Sequence, residues 1–147
     1  MKLFIPILIF LQILFSQCDS LDYDQSKYYH YPNINETHIG STSDCYYSTD
    51  WDILNELITL NDLVEIEVSN LGYQIWDSDG RLKNFTLDFS PATSPQYINQ
   101  KLYLLPENFG SLMMLESLEL YYHELTILPP TFPELYNLEA LYMKGNK

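Results

Sequence analysis

Leu115–Asn146, reading LESLELYYHELTILPPTFPELYNLEALYMKGN, returns on itself with a fixed step. Leu115, Leu118, Leu120 and His123 are followed 23 positions later by Leu138, Leu141, Met143 and Asn146. The same step carries Leu102, Leu105, Pro106, Phe109 and Leu112 onto Leu125, Leu128, Pro129, Phe132 and Leu135. A period of roughly 20 to 30 residues with leucines clustered as LxxLxL predicts one short strand, a turn and a looser returning arm per coil. Each coil then has an apolar edge that it cannot bury alone. Stacking removes the problem, because the leucines of one coil cover those of the next and the core grows along an axis.

With these residues in view the chain resembles the leucine-rich repeat family, in the short variant with LPxxFxxL in its second half. The matching segments are Leu105-Pro106-Glu107-Asn108-Phe109-Gly110-Ser111-Leu112 and Leu128-Pro129-Pro130-Thr131-Phe132-Pro133-Glu134-Leu135. The resemblance implies an α/β fold: a right-handed solenoid with a short parallel sheet on its concave face and a helical N-terminal cap. It also implies a structural Asn where each strand bends into its turn. Asn146 fills that place, and His123, which can donate from a ring nitrogen, stands in for it one coil earlier.

In LxxLxL the leucines point inward, so alternation sends the residues between and beside them to the concave sheet face. Those are Asn84, Thr86 and Asp88 in the first coil, Ser117, Glu119 and Tyr121 in the second, and Ala140, Tyr142 and Lys144 in the third. Tyr121 and Tyr142 fall on neighbouring coils separated by about 4.8 Å. Tyrosine gives wide contact area at low entropic cost, so this aromatic and acidic strip is the candidate partner-binding surface. A solvated strand face with no partner fits the same pattern.

Upstream, Leu82, Phe85 and Leu87 open the first coil, whose length to Leu115 is 33 residues instead of 23. The excess falls at about residues 90–100, where Pro91, Pro95 and small polar residues predict a surface loop. Tyr73–Trp76 and Leu82–Leu87 flank Asp77-Ser78-Asp79-Gly80 and read as a hairpin, with Asp-Gly supplying the positive φ of the turn. Leu63–Val68 alternates Val64, Ile66 and Val68 against Glu65 and Glu67, which favours an edge strand, and a continued helix also fits. Before it, Trp51, Ile53, Leu54, Leu57, Ile58 and Leu60 recur at helical spacing behind Ser48 and Thr49. This predicts an amphipathic helix from about Asp50 to Leu60, capped by those hydroxyls. Residues 44–81 resemble the N-terminal caps of such repeats through Asp50, Ile53-Leu54, Leu57, Trp76 and Gly80-Arg81-Leu82, without a cap's usual cysteine pairs.

Residues 19–43 are acidic and rich in Tyr, with almost no aliphatic side chain, and read as a disordered tail. Residues 1–18 carry Lys2, an apolar run from Leu3 to Phe15 and a small-residue cleavage site, the pattern of a secretory signal. The run is shorter than the about 20 apolar residues of a membrane span. Phe15-Ser16-Gln17-Cys18 also fits a lipoprotein box with Cys18 as the lipidated residue, so plain secretion and a lipid tether both stand. Cys45 is then either a lone buried thiol, a bridge to another chain, or the partner of Cys18.

The chain holds 20 acidic against 7 basic residues, a net charge of −13, and loss of Lys2 with the signal makes it about −14. That balance speaks against nucleic acid as a partner. No nucleophile elbow, phosphate loop or zinc spacing occurs, and the chain reads as non-catalytic, with no cofactor and no metal site. Asp77–Gly80 departs from a calcium loop, since Gly80 comes early and the closing Glu is replaced by Asp88. Two Asn-x-Thr triplets, at Asn35 and Asn84, are the only glycan signals.

The expected function is a secreted or surface-tethered module that binds a protein ligand and meets a membrane only through lipid on Cys18. Leu138, Leu141 and Met143 have no coil after them, so three further alternatives stay open. These are a homodimer closed through the C-terminal open end, an envelope or assembly component, and the first part of a longer receptor or adhesin.

Overall fold

The computed structural model describes residues 28–30, 38–39, 45–90, 92–93 and 99–147. The signal segment with Cys18, most of the 19–43 segment with Asn35, and most of the 90–100 insertion lie outside the described residues. In chain order the strands and helix are β1 (Tyr28–His30), β2 (His38–Ile39), β3 (Cys45–Tyr47), α1 (Ser48–Leu60), β4 (Tyr73–Trp76), β5 (Leu82–Asp88), β6 (Ser117–Tyr121) and β7 (Ala140–Tyr142). Among the described residues the fold is mixed α/β, with one α-helix and an open sheet ordered β2-β4-β5-β6-β7, while β1 and β3 form a separate antiparallel pair.

β5 and β6 pair in parallel with Asn84 beside Ser117 and Thr86 beside Glu119. β6 and β7 continue in the same sense, with Ser117 beside Ala140 and Glu119 beside Tyr142. Strand alternation puts Phe85, Leu87, Leu118 and Leu120 wholly inside. The chain returning from each strand packs beneath them. Leu102, Leu105, Phe109, Leu112 and Leu115 are buried, and the rings of Phe109 and Phe132 stack at 6.3 Å across successive arms. Each arm tightens into a 3-10 turn, Phe109–Ser111 and Phe132–Glu134, closed by the Phe N–H donating to the carbonyl of Pro106 or Pro129.

The helix begins two residues earlier than the hydrophobic period suggests. Its N-cap is Tyr47, without a side-chain cap, and Ser48 and Thr49 lie inside the first turn. The hydroxyl cap expected there is not used, because Tyr47 leaves β3 directly in extended geometry and its N–H donates to Gly80. Ile53, Leu54, Leu57 and Ile58 form the buried face.

Leu63–Val68 is not a strand. Asp62 and Glu65 take left-handed φ of 49° and 61°, which breaks any two-residue alternation, and Val68–Asn70 follows as a 3-10 turn. Leu63, Ile66 and Val68 are buried while Val64 is exposed, so the apolar positions pack from a series of turns.

The hairpin forms as expected. β4 and β5 are antiparallel, and Gly80 sits at φ 70°. The Asp77 carboxylate accepts from the N–H groups of Asp79 and Arg81, both at 2.9 Å, so this acidic turn is tied by its own backbone. Two short pieces of the 19–43 segment carry ladder pairing: β1 lies against β3, and β2 lies parallel to β4 at the sheet edge.

Candidate functional site

Alternation on three parallel strands builds one exposed face. Ile75, Asn84, Ser117 and Ala140 form one cross-strand row, and Tyr73, Thr86, Glu119 and Tyr142 the next. Asp88 and Tyr121 begin a third row, which the Tyr122 N–H continues by donating to the Lys144 carbonyl. All eight residues singled out from the sequence, Asn84, Thr86, Asp88, Ser117, Glu119, Tyr121, Tyr142 and Lys144, therefore share this surface. Tyr142 and Lys144 are exposed and the other six partly so. Tyr73, the strip's further aromatic, was legible only once β4 was known to pair with β5.

Charge on this face is specific. Asp88 stands at the strand end, where burial opposes its ionisation. The Ser90 N–H, which donates to its carboxylate at 2.8 Å, and the nearby Ser90 and Thr93 hydroxyls outweigh that and hold its carboxyl below the usual range. The Tyr121 phenol is raised, first by desolvation and then by its hydrogen bond to Glu119. Among the described residues, the ion pairs are Arg81 with Asp50, Lys83 with Glu116 and Lys147 with Glu124, so neither Asp88 nor Glu119 has a cationic partner.

Behind the face, His123 is buried and its imidazole is fixed by two backbone groups. The Leu102 N–H donates to Nδ1 at 3.3 Å, which places the ring proton on Nε2, 3.1 Å from the Leu87 carbonyl. Asn146 repeats the arrangement one strand on, accepting from the Leu125 N–H and donating to the Leu120 carbonyl. Burial lowers the His123 pKa to about 4, against a smaller opposing contribution from the Leu87 carbonyl. A neutral ring with both nitrogens engaged is a structural clasp and has no free position for proton transfer.

Sequence reasoning missed the buried ion pair. Asp50 is fully buried and accepts from Arg81 Nε at 2.9 Å, Arg81 Nη2 at 3.0 Å and the Leu82 N–H at 3.0 Å. The Arg81 guanidinium lies 4.2 Å from the centre of the Tyr47 ring. Burial raises the Asp50 carboxyl against the pull of Arg81. Burial also opposes the Arg81 charge, yet Asp50 holds its pKa above the ordinary value. An acid in a first helical turn and an Arg after a hairpin glycine are the only sequence traces of this pair.

Cys45 is buried and disulfide-bonded. Among the described residues no group of three or more His, Cys, Asp or Glu side chains could hold a metal, and no helix is long and apolar enough to cross a membrane. A cleft of about 300 Å³ lies beyond β7, between Leu125, Ile127, Leu128 and Met143. No protein-family model, curated protein or solved structure matches the chain.

Proposed function

We propose that the chain is a non-catalytic protein-binding module of the leucine-rich repeat kind, exported and either secreted or held at a surface. In this reading β5, β6 and β7 are the strands of successive right-handed coils, α1 and the β4–β5 hairpin form the N-terminal cap, and the exposed sheet face contacts a protein ligand. The in-register parallel pairing of three strands, with Tyr121 and Tyr142 diagonal to one another on the open face, carries the proposal. The disulfide at Cys45 supports export, because such bonds persist in oxidising compartments.

Tyr121→Ala combined with Tyr142→Ala tests it. Neither side chain belongs to the core, so the double variant should melt within about 2 °C of the parent. It should also lose at least about tenfold in affinity for the partner that the parent captures from its extracellular medium. A folded double variant that retains the partner would overturn the binding-face reading.

A further inference from the structure

Resting on that reading of the face, we propose that its ligand is a basic segment and that an arginine side chain of this segment docks on Glu119 between Tyr121 and Tyr142. Glu119 is the centre of the face. Tyr142 is its direct neighbour across the ladder, Thr86 is its neighbour on the other side, and Tyr121 lies two residues along the same strand. Asp88, beside Tyr121, is diagonal to Glu119, about 8 Å away from the strand spacing and rise.

These two carboxylates have different capacities. Asp88 is occupied by Ser90 and Thr93, which hold it charged and in place, so it acts on a ligand as a fixed charge. Glu119 is near enough to the Tyr121 phenol to raise it, and its carboxylate has lone pairs enough for a further donor pair. A guanidinium satisfies that vacancy and its surroundings at once: it binds a carboxylate through two parallel N–H bonds and lies flat on tyrosine rings. Lysine supplies only a point charge and no plane to stack.

The chain already contains this combination in its interior. Arg81 lies on the Tyr47 ring while donating two bonds to Asp50. On the exposed face the tyrosines and the carboxylates are present and the arginine is lacking. Lys144 lies beside Tyr121 and diagonal to Glu119, about 8 Å away, and it makes no ion pair among the described residues, so the place is left open. A net charge of −13 draws a basic partner towards the molecule, and the local arrangement decides where it lands.

The test uses the full chain and three blocked peptides, tetra-arginine, tetra-lysine and tetra-glutamate, titrated against ¹⁵N-labelled protein. Tetra-arginine should shift the amides of Thr86, Glu119, Tyr121 and Tyr142 and bind at least about fivefold tighter than tetra-lysine. Tetra-glutamate should shift none of them. Glu119→Gln should weaken tetra-arginine by about tenfold and Asp88→Asn by less, as the remote charge. Glu56→Gln with Glu107→Gln removes two charges away from the face and should change affinity by less than about twofold if the site is local. Equal losses from both sets of variants, or shifts spread over the whole surface, would reduce the binding to general charge attraction and overturn the proposal. Failure of the arginine docking is distinguishable from failure of the face itself. If Tyr121→Ala with Tyr142→Ala loses the captured partner while Glu119→Gln keeps both that partner and tetra-arginine, the face stands and the arginine proposal falls.

Discussion

His123 shows how a single side chain can do a backbone's work. Its ring bridges the Leu102 N–H and the Leu87 carbonyl, both buried, and it meets Phe89 edge-on at 5.2 Å. The clasp requires a neutral imidazole, because a protonated ring has no acceptor for Leu102. Its folded pKa, near 4, lies below the ordinary 6.5. The unfolded chain therefore takes up a proton first as pH falls. Stability from this residue is complete above about pH 6.5 and is lost progressively down to about pH 4, by on the order of 3 kcal/mol. Asn in its place can keep both bonds, as Asn146 does, and cannot titrate. Urea unfolding of the parent and of His123→Asn at pH 7 and pH 4.5 should show the larger acid loss in the parent. Equal losses would show that His123 is not the residue that titrates. Asp50 is the opposite kind of buried polar group, since it collects three donors, two of them on the Arg81 cation.

At the scale of elements, the β4–β5 hairpin is the joint between the helical part of the chain and the parallel strands. Gly80 makes it possible. At φ 70° an L side chain is strained, and a Cβ there would also run into the Cys45 carbonyl oxygen. The Gly80 carbonyl in turn accepts from Tyr47, just before α1. Gly80→Ala should therefore cost about 2 kcal/mol or more, a fall of roughly 6 to 10 °C in melting temperature. Asp79→Ala, beside it and exposed, should stay within about 0.5 kcal/mol. A thermal melt of both variants decides this, and similar values for the two would remove the special role of Gly80. The Asp-Gly pair made this turn legible in the sequence, as the leucine spacing did for β5, β6 and β7. Leu63–Val68 was misread because alternation alone does not register Asp62 and Glu65 at positive φ. The Asp50–Arg81 pair was hidden because its partners are 31 residues apart and meet only after β3, α1 and the hairpin are assembled. Of the candidate face, the rows contributed by β5, β6 and β7 followed from LxxLxL, whereas Tyr73 depended on a register that no local pattern encodes.

Across the whole molecule the core thins along the sheet. Phe85, Leu87, Leu118 and Leu120 are fully buried, while Leu141 in β7 is 44% exposed. The same gradient runs beneath the sheet, where Phe109 and Leu112 are fully buried but Leu128, Phe132 and Leu138 only partly so. β7 is the edge of the sheet and covers the thinnest part of the core, so opening should proceed from β7 towards β5. Native-state hydrogen exchange on the full chain should then find the β6 amides of Leu118 and Leu120 exchanging only through global unfolding. The β7 amides of Ala140 and Leu141 should exchange through a smaller opening. Truncations should follow the same order. Leu118→Ala creates a cavity in a closed core and should cost about 3 to 5 kcal/mol, whereas Leu141→Ala, already half in solvent, should cost under about 1 kcal/mol. Uniform protection from β5 to β7 would mean that the strands open as one cooperative unit. A layered gradient would mean that Tyr142 occupies the most mobile part of the proposed binding face. Ligand contact there would then slow exchange in β7 before it slows exchange anywhere else.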